Sequence, residues 1–469
     1  MRILQAVSEF FPYSKTGGLA DMVAGLSGAL SQNHEVTVAT PLYRGIREQF
    51  PDMDAIGEEF DLPLGDAKFV GRWWRHQPSP NLTVLLLEND QFFDRSGLYM
   101  EHGEGYGDNP ERFIFFSKAI ARLAPDFDVV HLHDWQTAIV PMLLTEGAGK
   151  STPRTVFTIH NLAYQGSCDP NRFSFTNLDA KLFHERGPEH FGSLNFMKAG
   201  LHYADAITTV SPQYAREIVT EEFGEGLSGE LLKYQDRLTG ILNGVDYVEW
   251  CTRGNPHLAA EYDYENLSGK ASCKEQLLNI FGLPDKGMPL VAVVSRLAEQ
   301  KGIGQMVEAL SELLADNQFQ FVLLGSGDEA MADMLLQLKT AFPNCVGVEI
   351  GYDQSLSHKI EAGADFFLMP SRFEPCGLNQ LYSLRYGTIP IVHAVGGLKD
   401  SITDIQDPGG NGIRYEQFQV PQLTAAIHRA LDLFQHPKRM NKVRRTGMTQ
   451  DFSWPIAAGK YVSIYSQQP

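Results

Sequence analysis

Short runs of apolar and β-branched residues alternate with helical stretches along almost the whole chain, and this alternation limits the possible fold more than any other feature. In the first half, the runs cover residues 3–7, 35–39, 82–87, 128–133, 154–159, 206–210 and 239–242. In the second half, they cover residues 289–294, 319–324, 346–350, 365–369 and 388–392. Nearly continuous apolar strands separated by helices are typical of parallel sheets that are covered on both faces. The sequence therefore predicts an α/β protein with doubly wound, Rossmann-like sheets.

The alternation lapses at a polar stretch, residues 246–268, and we place a domain boundary there. The chain has 469 residues, and single cores stop growing near ~250–300 residues, so two domains are expected. We predict an N-terminal Rossmann-like domain over residues 1–245 and a C-terminal Rossmann-like domain over residues 246–450. Residues 451–469 should form a helix that packs back on the N-terminal domain, because their apolar residues recur at helical spacing. Residues 163–193 lack a clear period and should form a lid or an insertion with short helices.

Composition and charge disfavour several classes of protein. The net charge of −18 disfavours nucleic acid as a partner, because nucleic-acid binders present a basic surface. No apolar run approaches the ~20 residues that cross a bilayer, and the N-terminus lacks a signal-peptide pattern, so no membrane partner is expected. The five cysteines form no CxxC pair, which is typical of a cytoplasmic protein and disfavours disulfides or structural zinc.

The first candidate site is the stretch Lys15–Asp21, which lies between the first predicted strand and a predicted helix over residues 20–30. Gly17 and Gly18 carry no Cβ, so a ligand can approach the main chain closely. The start of the helix also presents backbone N–H groups and the positive end of its dipole. The sequence therefore predicts an anionic ligand here. The stretch is not a G-x-G-x-x-G fingerprint, which disfavours the alternative of an NAD-dependent oxidoreductase.

Two cations follow the first strand of the second half. Arg296 and Lys301 lie in the predicted loop after the strand 289–294, where both could converge on one polyanion such as a diphosphate. The alternative is a solvated loop whose cations balance neighbouring carboxylates. Tyr352 follows another strand of this half and offers an aromatic surface on which a nucleotide base could stack, although it could equally be an ordinary loop residue.

The stretch Glu374–Leu378 follows the strand 365–369 and opens another predicted helix. Gly377 allows backbone amides to face a ligand, and a carboxylate beside a helix N-terminus is stabilised in its charged form. Simple charge complementarity at the start of the helix is the alternative for Glu374. Cys376 could be an activated thiol, but we favour a small residue tolerated in a tight turn.

Polar side chains also end the strands of the first half. His160 and Asn161 follow the strand 154–159, and His131 and His133 lie on the neighbouring strand. Alternate residues of a strand share a face, so the two histidines could suggest a metal site. No third ligand at suitable spacing accompanies them, and we predict no metal. Asn243 lies in an Asn-Gly pair that is typical of a turn.

Several motifs occur together in collinear order over almost the whole chain, at residues 15–21, 157–166, 211–218, 242–246, 294–302, 370–378 and 451–454. This set resembles the bacterial glycogen synthase and plant starch synthase family of retaining glucosyltransferases. The resemblance implies a GT-B fold, in which two Rossmann-like domains face each other across a cleft. It implies transfer of glucose from ADP-glucose to the non-reducing end of an α-1,4-glucan, with retention of configuration and without a metal or cofactor.

The resemblance also implies roles for the candidate residues. In the catalytic set, Arg296 and Lys301 would neutralise the departing diphosphate, Glu374 and Asp21 would orient glucose hydroxyls, and His160 would stabilise the cationic sugar. The substrate-binding set comprises Lys15, Gly18, Asn161, Asn243, Ser295, Tyr352, Cys376, Gly377 and Leu378. The alternatives within this fold are a glucosyltransferase that uses UDP-glucose or a small acceptor. A non-catalytic regulator that binds nucleotide or glucan would need a degenerate site, whereas the motif residues are all present.

Overall fold

The computed structural model describes residues 1–101, 103–147 and 153–467. The chain divides into two compact units. Unit 1 comprises Met1–Gly244 with Trp454–Pro469, and unit 2 comprises Val245–Ser453. The end of the chain therefore belongs to the same unit as its beginning.

Unit 1 is built on one large twisted sheet. Its strands are β1 (Arg2–Ala6), β2 (Glu35–Pro41), β3 (Asp54–Leu64), β4 (Ala67–Ser79), β5 (Leu82–Glu88), β8 (Val129–His133), β9 (Arg154–Ile159), β13 (Ala206–Thr209) and β14 (Leu238–Gly240). Within the described residues the strand order is β14-β13-β9-β8-β1-β2-β5-β4-β3. Every neighbouring pair from β14 to β5 is parallel. The parallel sheet predicted for the first half of the chain is confirmed.

The sequence analysis did not predict β3 and β4. They form an antiparallel hairpin at one edge of the sheet, where β4 also pairs antiparallel with β5. Most side chains of both strands are exposed or half-buried. Antiparallel strands with one face in water lack the continuous apolar run that marks a buried parallel strand. The pattern that identified the other strands was therefore absent here.

Helices alternate with the parallel strands of unit 1. They are α1 (Gly18–Leu30), α2 (Ile46–Gln49), α3 (Asp90–Phe93), α4 (Asn109–Leu123), α5 (Val140–Glu146), α6 (Phe196–Tyr203), α7 (Pro212–Glu217) and α8 (Ser228–Lys233). A short hairpin pairs β6 (Met100–Glu101) with β7 (Glu104–Gly105). Residues 163–193 contain two 3₁₀ helices, Pro170–Thr176 and Ala180–Leu182, beside a small antiparallel sheet of β10 (Ser167–Cys168), β11 (Glu189–His190) and β12 (Ser193–Asn195). The short helices expected in this insertion are present.

Unit 2 contains a second parallel sheet. Its strands are β15 (Leu290–Leu297), β16 (Gln320–Gly327), β17 (Val346–Ile350), β18 (Phe366–Met369), β19 (Ile389–His393) and β20 (Ile413–Tyr415), in the order β17-β16-β15-β18-β19-β20. All neighbouring pairs are parallel. Val291 and Val293 pack in one apolar cluster, whereas Leu290 and Ala292 pack in another. Because alternate residues point to opposite faces, this sheet is covered on both sides as predicted.

The helices of unit 2 are α9 (Gly269–Ile280), α10 (Ile303–Leu313), α11 (Glu329–Ala341), α12 (Gln354–Gly363), α13 (Asn379–Arg385), α14 (Gly396–Ser401), α15 (Val420–Phe434) and α16 (Pro437–Met448). The last helix, α17 (Trp454–Tyr465), belongs to unit 1 and packs on α1. A Cβ at Gly25 of α1 would lie 2.0 Å from Trp454 Nε1, so this contact requires glycine. Across the described ranges, every helix is too short or too polar to traverse a bilayer.

Candidate active site

The strand order of unit 2 reverses beside β15, because β16 lies on one side of it and β18 on the other. Ligands of open parallel sheets bind beyond the carboxyl ends of the strands at such a switch point. Here β15 ends at Leu297 and β18 ends at Met369. Arg296, Lys301 and Glu374 all belong to the chain segments at these two strand ends. The fold therefore brings the chain segments of these three residues to the position where a ligand is expected.

Lys301 and Glu374 form a largely buried ion pair at this position. Lys301 Nζ lies 2.6 Å from Glu374 Oε2, and the two side chains are 18% and 7% exposed. Ser371 Oγ donates a second hydrogen bond to the same oxygen at 2.9 Å. Glu374 Oε1 accepts no side-chain hydrogen bond from the described residues. One carboxylate oxygen thus anchors the lysine, and the other has capacity for a donor such as a sugar hydroxyl.

Main-chain contacts hold the two segments of this ion pair together. The Arg372 N–H donates to the Gln300 carbonyl at 2.8 Å, and Gln300 Nε2 donates to the Phe373 carbonyl at 3.2 Å. Gly302 has φ of +69°, and a Cβ there would lie 2.0 Å from the Pro370 oxygen. Only glycine permits both this backbone conformation and this approach. The loop after β15 is therefore fixed against the loop after β18.

Arg296 lies inside β15 rather than in the loop after it, which corrects the sequence prediction. The strand continues to Leu297 because Arg296 still pairs with Ser326 of β16 in register. The Arg296 side chain is exposed, whereas Lys301 binds the Glu374 carboxylate. Among the described residues, the two cations therefore have no common partner. Ser295 donates its hydroxyl to the Arg296 carbonyl at 2.8 Å. Tyr352, just after β17, is 75% exposed.

The turn that precedes α13 contains the other predicted residues of unit 2. Gly377 has φ of +71°, a left-handed conformation that favours glycine, and Leu378 occupies the N-cap position of the helix. Cys376 is buried, with 5% of its surface exposed. Asn379 Nδ2 donates to the Val294 carbonyl at 2.6 Å and so attaches the start of α13 to the end of β15.

The strand order of unit 1 reverses beside β1, which lies between β2 and β8. The loop after β1 contains Lys15, whose Nζ lies 2.8 Å from both carboxylate oxygens of Asp21. Burial raises the pKa of Asp21 above its ordinary value, and Lys15 partly offsets the increase. The helix α1 begins at Gly18, and a Cβ at Gly17 would meet nothing within 4 Å. The main chain at the start of α1 is therefore open to a ligand.

Glu9 is a residue of this loop that sequence reasoning missed. Glu9 is 4% exposed, and its carboxylate accepts hydrogen bonds from the Thr16 N–H, from Thr16 Oγ1 at 2.6 Å and from the Gly17 N–H at 3.3 Å. The Tyr99 hydroxyl also donates to it at 2.8 Å. Glu9 thus fixes the loop that carries Lys15. The available signal was an acidic residue embedded in an otherwise apolar stretch after the first strand.

His160 and Asn161 lie at the carboxyl end of β9. His160 Nε2 lies 3.0 Å from His133 Nδ1, and burial lowers the pKa of His160 to about 3. Asn161 Oδ1 accepts the Ala163 N–H at 3.1 Å, which closes a local turn. The imidazole of His160 is therefore neutral at ordinary pH.

Asp134, at the carboxyl end of β8, is a second residue that sequence reasoning missed. Its φ of +56° is uncommon for a residue other than glycine, and such strain is concentrated at functional sites. The carboxylate accepts the His160 N–H at 2.7 Å. Burial raises the pKa of Asp134 to about 7, although the backbone N–H groups of His160 and Asn161 favour the charged form and lower it. Glu9 raises it further, so the two missed carboxylates interact electrostatically.

The remaining positions singled out in the sequence are Asn243, His131 and His133, and all three are buried. Asn243 is buried, and its Oδ1 has no hydrogen-bond partner within the described part of unit 1. His131 and His133 are fully buried and bind protein groups. In residues 1–101, 103–147 and 153–467, no three histidine, cysteine, aspartate or glutamate side chains are arranged so that they could hold a metal ion.

The chain is similar to known proteins in family, in sequence and in structure. Residues 2–233 match a starch synthase catalytic domain, and residues 279–446 match the glycosyl transferases group 1 family. The chain is 46% identical to a glycogen synthase of Myxococcus xanthus, with 99% of both chains covered. It is 42% identical to a glycogen synthase of Thioalkalivibrio sulfidiphilus, again with 99% of both chains covered.

Solved structures give the same relationship. The catalytic domain of starch synthase IV from Arabidopsis thaliana, bound to ADP and acarbose, matches with a TM-score of 0.89 and 32% identity over 99% of this chain and 98% of that chain. A sucrose-phosphate synthase from Thermosynechococcus elongatus matches with a TM-score of 0.64 and 19% identity over 99% and 98% of the two chains, which is a likeness of fold alone. The GT-B fold class expected from the sequence is confirmed.

Proposed function

Since the chain belongs to the glycogen and starch synthase family of glycosyltransferases, we propose that it transfers glucose from ADP-glucose to the non-reducing end of an α-1,4-glucan, with retention of the anomeric configuration. The observation that carries the proposal is the Lys301–Glu374 ion pair, together with the exposed Arg296, at the two strand ends that form the switch point of unit 2. Two cations and a carboxylate at the strand ends where an open parallel sheet binds its ligand support a site for a sugar attached to a diphosphate.

Unit 2 supplies the groups for the nucleotide sugar. Arg296 and Lys301 neutralise the charge that accumulates on the diphosphate as the glycosidic bond lengthens. Removal of one such preorganised group elsewhere costs 10²–10³ in turnover, or about 2.7–4 kcal/mol. Glu374 positions glucose through Oε1, and the backbone of Gly377 and Leu378 binds phosphate or sugar oxygens. Ser295 and Cys376 also contact the nucleotide sugar, and the Tyr352 ring stacks on the base of the nucleotide.

Unit 1 supplies groups for the sugar. The neutral His160 stabilises positive charge on the sugar during same-face attack, and Asn161 binds beside it. Asp21 orients a glucose hydroxyl, whereas Lys15 and the main chain at Gly18 contact the donor. We assign Asn243 to substrate binding because its buried Oδ1 has unused hydrogen-bonding capacity.

The choice of ADP rests on the relatives. The Arabidopsis starch synthase IV structure contains ADP, and bacterial glycogen synthases align over the full length of this chain. We also propose a cytoplasmic location, because none of the five cysteines, all within the described ranges, forms a disulfide and disulfides are rare in the cytoplasm.

The test is turnover of ADP-glucose and UDP-glucose, each with and without glycogen, measured as release of nucleoside diphosphate. We expect glycogen-dependent release that is faster with ADP-glucose, together with product chains that an enzyme specific for α-1,4 linkages digests. Faster turnover of UDP-glucose would contradict the donor assignment. Equal release with glucose or maltose in place of glycogen would favour a small-acceptor enzyme. An absence of release with both donors would indicate a non-catalytic binding protein.

A further inference from the structure

A chain of buried hydrogen bonds lies beneath His160 in unit 1. His160 Nε2 contacts His133 Nδ1 at 3.0 Å, and His133 Nε2 contacts Gln5 Oε1 at 2.7 Å. Gln5 Nε2 donates to the Tyr465 hydroxyl at 3.3 Å, and this hydroxyl contacts His131 Nδ1 at 2.7 Å. Neither the family resemblance nor the proposed mechanism uses His133, Gln5 or Tyr465.

The amide of Gln5 gives this chain a direction. Its Oε1 can only accept, so His133 Nε2 must carry the proton that forms their hydrogen bond. Burial lowers the pKa of His133 well below its ordinary value, so the ring is neutral and carries a single N–H. His133 Nδ1 is therefore an acceptor, and the proton in the 3.0 Å contact must belong to His160 Nε2.

The rest of the chain agrees with this direction. The Tyr465 hydroxyl accepts from Gln5 and donates its own proton to His131 Nδ1. His131 is also buried and neutral, so its Nε2–H donates to Thr158 Oγ1 at 2.6 Å. Every contact then has one donor and one acceptor, as a buried network requires.

We infer that His133, oriented by Gln5, is a positioning residue that holds His160 in the neutral Nε2–H tautomer and leaves His160 Nδ1 as a hydrogen-bond acceptor. Among the described residues, no group donates to or accepts from His160 Nδ1. A lone pair at this atom can accept a hydrogen bond from a substrate hydroxyl and favours positive charge on the sugar, whereas an imidazolium would repel it. The tautomer follows from the network with the Gln5 oxygen facing a neutral His133, and only this last consequence rests on the proposed function.

The opposite orientation of the Gln5 amide would reverse the direction of the network. Gln5 would then donate to His133 Nε2, and His133 Nδ1–H would donate to His160 Nε2. His160 would carry its proton on Nδ1 and present a donor to the substrate. The two arrangements have the same heavy-atom distances but opposite protonation at His160, so a measurement of the tautomer decides between them.

The test is a heteronuclear NMR spectrum of the full-length protein with ¹⁵N-labelled histidine at pH 7. Comparison with the spectrum of His160→Gln assigns the His160 resonances. We expect a protonated, pyrrole-type Nε2 and an unprotonated, pyridine-type Nδ1 at His160. A pyrrole-type Nδ1, or a ring protonated at both nitrogens, would overturn the inference. This result does not depend on turnover, so it remains informative if the proposed function fails.

Kinetics test the positioning role. His133→Phe keeps an aromatic ring but removes the acceptor, whereas Asn at the same position can place an amide oxygen near the site of Nδ1. We expect His133→Phe to lower kcat about tenfold, which corresponds to about 1.4 kcal/mol, with little change in the KM for the donor. His133→Asn should recover most of the lost kcat and retain the His160 tautomer.

The matched control is His202→Phe in the same unit, because His202 also makes a short contact, 2.6 Å from Nδ1 to the Tyr234 hydroxyl. It should leave kcat unchanged. Equal loss of kcat in His133→Phe and His202→Phe, or no rescue by His133→Asn with an unchanged His160 tautomer, would contradict a positioning role.

Discussion

Replacement of Lys301 by Met should separate a structural from a catalytic role for the buried ion pair. The substitution keeps the length of the side chain but leaves Glu374 with Ser371 as its remaining side-chain donor. Loss of one partner from a buried pair costs about 3–5 kcal/mol of unfolding free energy. Because Lys301 is 18% exposed, we expect a loss of about 3 kcal/mol, near the lower end of that range. Turnover should fall by about 10²–10³, since the diphosphate loses a preorganised cation.

Unit 2 contains a closely matched control. Lys274 Nζ lies 2.6 Å from Asp365 Oδ2, and these side chains are 18% and 8% exposed. Arg444 also binds Asp365 at 2.6 Å, so Lys274→Met leaves that carboxylate paired. We expect this control to lose about 1.5–3 kcal/mol of stability, while turnover of the folded enzyme stays at the wild-type value.

The double variant Lys301→Met with Glu374→Gln makes the prediction decisive. It removes the unpaired charge, so the unfolding free energy should return to within about 1 kcal/mol of the wild-type value. Turnover should stay low, because the cation is still absent and the Glu374 carboxylate that positions glucose has also been replaced. Urea unfolding and glycogen-dependent release of ADP measure the two quantities separately. Recovery of turnover in the double variant would refute the reasoning, because Lys301 would then act only by neutralising Glu374.

Three further predictions concern other parts of the molecule. Gly25→Ala should lower the free energy of unfolding by about 1–3 kcal/mol, because the added Cβ would collide with Trp454. Gly28→Ala lies on the same helix, where the added Cβ has no neighbour within 4 Å, and it should raise the free energy of unfolding by about 0.5–1 kcal/mol. Thermal unfolding of both variants checks these two changes. Tyr352→Ala should raise the KM for the donor about 5- to 100-fold through lost base stacking without loss of stability, because the ring is 75% exposed. Since folding raises the pKa of Asp134 to about 7, the folded state keeps a proton that the unfolded state loses, and this residue's contribution to stability falls as pH rises from 4 to 7. The unfolding free energies of wild type and Asp134→Asn, measured across this range, should differ by a pH-dependent amount that becomes constant above pH 7; a constant difference throughout would contradict the raised pKa.

The parallel strands were predictable because burial on both faces leaves a continuous apolar signal. The run at residues 290–294 shows this, since its alternate side chains enter two different cores. The hairpin of β3 and β4 was not predictable by the same rule, because one of its faces is exposed to water and its residues are mixed. The end of β15 was placed too early, because Ser295 and Arg296 are polar although they continue the parallel ladder with β16. Side-chain polarity at a strand end does not reveal where backbone pairing stops.

The candidate site shows a corresponding limit. The sequence places Lys301 and Glu374 at the ends of two strands, but their contact joins residues 73 positions apart and depends on the order of the strands in the sheet. Periodicity predicts strands but does not establish which strands are neighbours. The interpretation of Lys301 as a cation directed at a diphosphate therefore did not include the carboxylate of Glu374. An anionic ligand must compete with that carboxylate for Lys301 or share the lysine with it. Asp134 and Glu9 were missed for a related reason, because a single carboxylate after a strand has the same sequence pattern whether it is solvated or buried. Only burial and the positive φ of Asp134 distinguish it from an ordinary surface acid, and neither property can be recognised from a single carboxylate in the local sequence.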